Sequence, residues 1–213
     1  MASSAGELIA VAAQDDEDDE ELEDLVEEAE ELLNVFWGTI FSAAGVNYPP
    51  PKLVVAEYDQ RVNSRCFKSR GVSHSYCPAD RTVYLDYDND DDYSLETLAD
   101  DERHLAAVLI MAHEWGHHIQ NILGLFTDDQ DNPRATVDVE LQADCLAGLF
   151  IRAYAKASDW VERADLEDTL DLVREVGDDP SLPKSQISHG TPNQRAASFQ
   201  RGYRADALAA CGL

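Results

Sequence analysis

The clearest chemical pattern in the sequence is HEWGH at positions 113–117, in which two histidines stand four residues apart. On an α-helix, residues at this spacing lie one turn apart on the same face, so both imidazoles can bind one metal ion. Glu114 lies further round the helix, where its carboxylate can accept a proton without binding the metal. This HExxH pattern is typical of zinc-dependent hydrolases, with His113 and His117 as ligands. The alternative is a pair of structural histidines satisfied by their neighbours.

A third candidate ligand lies in the next predicted helix. Glu140 and Asp144 fall on the same face as the apolar residues of that helix, where burial of an unpaired carboxylate costs on the order of a few kcal/mol. Two histidines and one glutamate form a catalytic zinc site that keeps a fourth position open. We therefore predict Glu140 as the third ligand and Asp144 as the acceptor of a hydrogen bond from a ligating imidazole, preferably His113. The alternative is a buried salt bridge of these acids with Arg152 or Arg195.

The elements that must position these residues can be predicted from apolar spacing. The acidic segment 15–41 has apolar residues at helical spacing and predicts a first helix, which the prolines at 49–51 separate from the rest of the chain. Runs rich in Val, Leu and Tyr predict short strands at 53–58 and 82–86. Four further helices are predicted at about 97–124, 134–157, 159–176 and 192–209.

The last of these helices has a clear start signal. Thr191 suits the N-cap position and Pro192 the first helical position, because proline lacks an N–H that would have no partner there. The preceding segment 177–190 contains two glycines and two prolines and is predicted to be a loop.

Length and charge limit the classes of function. A chain of 213 residues with 44% apolar content suits one domain, predicted over 15–213 after a disordered tail at 1–14. The net charge of -27 argues against binding of nucleic acid or anionic membrane. The sequence has no apolar stretch of about 20 residues, and its first residues lack the positive region of a signal peptide. We therefore expect a soluble chain without a membrane span.

Two acidic segments are interpreted as solvated surface. The acidic run that opens the first predicted helix is interpreted as its outer face, with an interaction tail as the alternative. The run DYDNDDD at 86–92 resembles a calcium loop in charge, but it lacks the glycine at the sixth position and the glutamate at the twelfth. A solvated acidic loop is favoured over calcium binding.

Four motifs together point to a family. They are YCPADRTVYLD at 76–86, HEWGHHIQN at 113–121, ELQADCLAG at 140–148 and SHGTPNQRAASFQRGY at 188–203. The HExxH pattern followed by ExxxD resembles the gluzincin metallopeptidases, and the four motifs in order resemble the bacterial family of putative neutral zinc metallopeptidases. The resemblance covers most of residues 33–211. It departs at the N-terminus, where the family has an anchor or signal, and at Phe67, where glycine is usual.

This resemblance implies an α+β, mostly helical fold with a gluzincin-like core and a small antiparallel sheet. It also implies one zinc ion per chain and hydrolysis of peptide bonds by a zinc-activated water, with Glu114 as general base. By analogy with thermolysin-like enzymes, His189 is predicted to stabilise the oxyanion, with Tyr203 and Arg195 as weaker substitutes. The alternatives are a zinc-binding interaction module without turnover and a hydrolase of non-peptide amides or esters.

The four cysteines bear on location. They allow three pairings, of which we favour Cys66 with Cys77 across a short loop, leaving Cys145 for Cys211, in agreement with the family resemblance. Two disulfides favour an extracytoplasmic or secreted protein. Four reduced thiols in a cytoplasmic protein are the alternative.

Overall fold

The computed structural model describes residues 5–56, 62–66, 74–86, 100–125, 133–157 and 166–213. The described chain forms five α-helices, three β-strands and a short 3₁₀ helix, hereafter the C-terminal turn. In chain order these are α1 (Ala5–Ala43), β1 (Lys52–Ala56), β2 (Ser75–Cys77), β3 (Thr82–Asp86), α2 (Asp100–Ile122), α3 (Pro133–Ala157), α4 (Leu166–Glu175), α5 (Pro192–Tyr203) and the C-terminal turn (Leu208–Cys211). The predicted α+β, mostly helical fold class is confirmed.

The sheet is mixed, which differs from the antiparallel sheet that was predicted. Strand β3 lies in the centre, parallel to β1 and antiparallel to β2. The turn at 78–81 is short enough to join antiparallel neighbours, whereas the long segment between β1 and β3 allows a parallel crossover. Strand β2 was not predicted, because three residues are too few to show an alternating pattern.

Several predicted boundaries differ from the observed ones. Helix α1 already includes residues from Ala5 onward, so only residues 1–4 of the predicted tail lie outside the described chain. Residues 57–58 and 97–99, the N-terminal part of the helix predicted at 159–176, and all but the first residue of the acidic run at 86–92 also lie outside it.

The last helix ends at Tyr203 and not at the predicted 209. The backbone N–H of Arg204 closes the helix on the carbonyl of Gln200, and the chain re-forms as the C-terminal turn. The alanine-rich segment after it favours helix, but Cys211 is bonded to Cys145 of α3, and this long-range link requires a change of direction. The predicted start is confirmed, since Thr191 is the N-cap and its backbone N–H donates to Gln194 Oε1 at 3.0 Å.

The helices pack around one apolar core. Its largest fully buried side chains come from α1, α2, α3 and α5 and include Trp37, Trp115, Phe150 and Phe199. Helix α5 approaches α3 at two glycines. A Cβ at Gly202 would lie 1.8 Å from the carbonyl oxygen of Cys145, and one at Gly148 would lie 2.2 Å from that of Phe199. This close crossing brings the polar side chains of α5 against α3 near the predicted metal site.

Two disulfides link separate segments of the chain. Cys66 is bonded to Cys77 at the end of β2, and Cys145 of α3 is bonded to Cys211 of the C-terminal turn. These are the predicted pairs. Within the described residues, no helix is long and apolar enough to cross a membrane.

Candidate metal centre

Helices α2 and α3 bring the three predicted ligands together. The Nε2 atom of His113 lies 3.1 Å from Glu140 Oε2, and the Nε2 atom of His117 lies 3.4 Å from Glu140 Oε1. One ligand atom from each residue lies within 4.8 Å of the other two, which makes this group able to hold a metal ion. The two imidazoles lie one turn apart on α2, with ring centroids 4.7 Å apart.

The other nitrogen of His113 is held from α3 and α5. His113 Nδ1 lies 2.9 Å from Asp144 Oδ1, so the ring donates to this carboxylate and turns Nε2 toward Glu140. Arg195 of α5 donates to both oxygens of the same carboxylate, at 2.7 and 3.0 Å. Its remaining nitrogen donates to the carbonyl oxygen of Val176 at 2.9 Å. A buried bidentate pair of this kind fixes the direction in which Asp144 faces His113.

The salt bridge considered as an alternative therefore exists, and it involves only one of the two acids. Asp144 pairs with Arg195 while also accepting from His113. Glu140 instead faces the two histidine Nε2 atoms. Arg152, the other candidate partner, bonds the carbonyl of Ala205 and the carboxylate of Asp206.

The carboxylates make this region attractive to positive charge. Burial alone would lower the pKa of His113, but hydrogen bonds to Asp144 and Glu140 outweigh it and raise the pKa to about 10. The pKa of His117 is also raised, because the charge of Glu140 outweighs burial. The pKa of Glu140 is well below its ordinary value, since the two imidazoles outweigh the effect of burial.

These residues fit a zinc ion. Two imidazole nitrogens and one carboxylate converge, and they are the donor types of a catalytic zinc site with three protein ligands. Histidines that bind a metal commonly donate their other ring N–H to a carboxylate, and His113 does so to Asp144.

A cavity of about 640 Å³, hereafter the cleft, opens beside the three ligands. Its apolar wall includes Leu109 and Ile110 of α2 and Leu172 and Val173 of α4. Glu114 also lines the cleft, although it is only 7% exposed. Among the described residues, Glu114 Oε2 has no hydrogen-bond partner, which is rare for a buried carboxylate oxygen.

His189 lies at the rim of the same cleft. Its side chain is 55% exposed, and its Nδ1 lies 3.1 Å from Ser188 Oγ and 3.5 Å from Asp178 Oδ1. Asp178 Oδ2 accepts the backbone N–H groups of Ser188 and His189 at 2.7 Å and that of Gly190 at 3.1 Å. Asp178 thus organises the loop that carries His189.

Tyr203 and the other three histidines lie in different surroundings. Tyr203 stacks on Phe199 at a centroid distance of 6.2 Å, as a packing residue. His74 lines the cleft, and burial lowers its pKa to about 4. His104 is buried on α2, and His118 faces the sheet side of that helix.

Two supporting residues were not found by sequence reasoning. Gln120 accepts from His117 Nδ1 at 2.9 Å, and Asp178 holds the His189 loop. Gln120 lies three residues after His117 on the same helix, and this i to i+3 spacing is the one local signal that indicates the contact. No local pattern points to Asp178.

Comparison with known proteins identifies the family of the chain. The family described as putative neutral zinc metallopeptidase matches residues 2–213. An uncharacterized protein of Escherichia coli strain K12, YpfJ, is 34% identical over 193 residues, which cover 82% of this chain and 65% of that protein. Uncharacterized proteins Mb2605 of Mycobacterium bovis and Rv2575 of Mycobacterium tuberculosis are each 31% identical over 156 residues, covering 64% of this chain and 53% of theirs.

The chain thus spans less than two thirds of the length of these curated relatives. No solved structure matches it. Because the family match extends over nearly the whole sequence, the chain belongs to the putative neutral zinc metallopeptidases.

Proposed function

We propose that this protein is a zinc-dependent peptidase that holds one zinc ion through His113, His117 and Glu140. The observation that carries the proposal is the buried oxygen of Glu114, which faces the cleft beside the three ligands and has no partner among the described residues. A protein that only stored zinc would need the ligands alone. A proton acceptor held next to them serves a reaction.

The donor set determines what the ion contributes. Zinc, when bound, polarises a substrate carbonyl and lowers the pKa of a water molecule. His113 donates its Nδ1 proton to Asp144, and Arg195 donates to the same carboxylate, so the His113 ring keeps its orientation.

Glu114 acts as the general base. Its Oε2 takes a proton from the attacking water and afterwards returns it to the leaving amine. The apolar wall of the cleft and the burial of the carboxylate keep bulk water from competing for this proton.

His189 is proposed as a donor to the developing oxyanion. It lies at the cleft rim, and Asp178 and Ser188 hold its backbone and ring. Because His189 and Glu114 line the same cleft, one can donate to the oxyanion while the other accepts the proton.

The proposed substrates are peptides or proteins. A cleft lined by both apolar side chains and polar groups is suited to a chain that presents an apolar side chain next to a carbonyl group. The two disulfides support a site of action in an oxidising compartment, outside the cytoplasm or secreted.

The test is Glu114→Gln, which keeps size and hydrogen bonding but accepts no proton. We expect one zinc per chain in both proteins, by metal analysis, and a loss of peptidase activity of about 10² to 10⁴-fold in the variant. Wild-type activity in Glu114→Gln with zinc bound would contradict the proposed base. Cleavage of acyl esters but not of peptides would assign the site to non-peptide substrates.

A further inference from the structure

We propose that Gln120 and Gln142 form an amide relay that fixes the orientation of His117 from the C-terminal turn, and that both are positioning residues of the metal site. The inference rests on the proposed binding of zinc by His117. Four hydrogen bonds connect His117, Gln120, Gln142 and the carbonyls of Val139 and Cys211.

The first step is the orientation of the Gln120 amide. Its nitrogen donates to the carbonyl oxygen of Val139 at 2.8 Å and to Gln142 Oε1 at 3.0 Å. Both neighbours are acceptors, so the amide nitrogen of Gln120 must face them. The amide oxygen is thereby turned toward His117.

The second step is the proton on His117. An amide oxygen accepts and cannot donate, so the Nδ1 atom of His117 that lies 2.9 Å from Gln120 Oε1 must carry the hydrogen. The lone pair of the neutral ring then belongs to Nε2, the atom that faces Glu140. Gln120 thus selects the tautomer that can bind a metal through Nε2.

The third step anchors the relay in another part of the chain. Gln142 Nε2 donates to the carbonyl oxygen of Cys211 at 2.8 Å, which obliges its Oε1 to face Gln120. Because a carbonyl oxygen can only accept, Cys211 fixes the amide of Gln142, and the Val139 carbonyl favours the same orientation of Gln120. Gln120 is fully buried, so water does not readily replace a lost partner there.

The C-terminal turn is held in place by a covalent bond. Cys211 is bonded to Cys145, the residue after Asp144 on α3. The Cys145–Cys211 disulfide therefore supports the metal site through the relay. The Cys66–Cys77 disulfide joins neither relay residue and provides a matched control.

The experiment measures zinc affinity by competition with a chromophoric chelator for wild type, Gln142→Met and Ser198→Ala. Gln142→Met removes the link from Gln120 to the C-terminal turn and leaves the Gln120 amide with the Val139 carbonyl alone, at a position outside the three proposed ligands. Ser198 lies at the α3–α5 interface and donates to the carbonyl of Leu141, so Ser198→Ala controls for a general loss of packing. We expect zinc affinity to fall about 10 to 100-fold in Gln142→Met and less than about threefold in Ser198→Ala.

A second readout reports the metal environment itself. The visible absorption of the Co²⁺-loaded protein should change in Gln142→Met and stay unchanged in Ser198→Ala, because only the former removes a hydrogen bond that holds the Gln120 amide against His117. If Gln142→Met fails to fold, Gln142→Asn replaces it, since a side chain one methylene shorter cannot reach both Gln120 and Cys211.

A further comparison uses two double variants that each remove one disulfide, Cys145→Ala/Cys211→Ala and Cys66→Ala/Cys77→Ala. Only the first pair is expected to lower zinc affinity, by about the same factor as Gln142→Met. Wild-type affinity and spectrum in a folded Gln142 variant would overturn the relay while leaving the proposed function intact. A wild-type protein that binds no zinc would overturn the proposed function and the relay with it.

Discussion

Helix α2 carries three histidines within six residues, and their surroundings differ between the cleft side and the sheet side of the helix. On the cleft side, His113 and His117 face the carboxylates of α3. On the sheet side, His118 donates from Nε2 to the carbonyl oxygen of Pro49 at 2.8 Å and accepts from the Tyr76 hydroxyl at 3.0 Å. The first two histidines have carboxylate partners, whereas the hydrogen-bond partners of His118 are uncharged.

The two environments shift the pKa values of their histidines in opposite directions. Burial favours the neutral form of all three imidazoles. The α3 carboxylates reverse this for His113 and His117. For His118, burial, aided by Arg81, outweighs the Pro49 carbonyl and lowers the pKa to about 4. Burial acts in the same direction on all three histidines, so burial does not distinguish them. The carboxylates of α3 make His113 and His117 suited to a cation, whereas His118 is a structural histidine.

The largest effect is expected from removing the carboxylate that both cleft-side histidines face. Glu140→Ala should weaken zinc binding by more than the roughly 100-fold expected for an outer partner, because a ligand is lost. Metal analysis after dialysis measures this. Glu175→Ala removes another carboxylate from the cleft lining and should retain zinc. Full zinc content in Glu140→Ala would remove Glu140 from the site.

An intermediate effect is expected from Asp144→Asn. The amide bonds His113 and Arg195 less well than the carboxylate, so zinc affinity should fall about 10 to 100-fold, with activity restored by excess zinc. The variant also leaves the buried Arg195 without its counter-charge, which should lower stability by on the order of 3 kcal/mol. Chelator competition and thermal unfolding report the two effects separately. Wild-type zinc affinity would show that Asp144 serves packing alone.

The smallest effect on zinc affinity is expected from a substitution on the sheet side of α2. His118→Phe removes the bonds to Pro49 and Tyr76 and should cost about 1–3 kcal/mol of stability, with zinc affinity within about twofold of wild type. Denaturant unfolding and zinc titration test this together. A large loss of zinc would show that the sheet side also shapes the metal site.

The same variant tests the sign of the pKa shift. The unfolded chain protonates His118 at its ordinary pKa, near 6.5, but the folded protein does so only near 4. The unfolded state therefore binds more protons between these values, and stability contributed by neutral His118 is present above about pH 6.5 and lost as the pH falls toward 4. The free energy of unfolding, measured at several pH values in this range, should therefore depend less on pH in His118→Phe than in wild type. The same pH dependence in both proteins would contradict the lowered pKa.

The sequence alone predicted the local parts of this protein. The ligand pair His113 and His117 follows from helical spacing, which needs no knowledge of the rest of the fold. The start of α5 at Thr191 and Pro192, the limits of β3 and the mostly helical class follow from capping and periodicity and agree with the structure. The tail, β2 and the end of α5 were missed or displaced, because weak or short patterns yield to long-range contacts.

The supports of the metal site depended on tertiary structure. Asp144 was predicted to hold His113, but whether Arg152 or Arg195 would meet it depended on how closely α5 crosses α3 at Gly148 and Gly202. The relay from His117 likewise depends on the C-terminal turn. Spacing along one helix places two ligands on one face, but the groups that fix their orientation come from distant segments, such as Arg195, which is 82 residues from His113, and only packing brings such segments together.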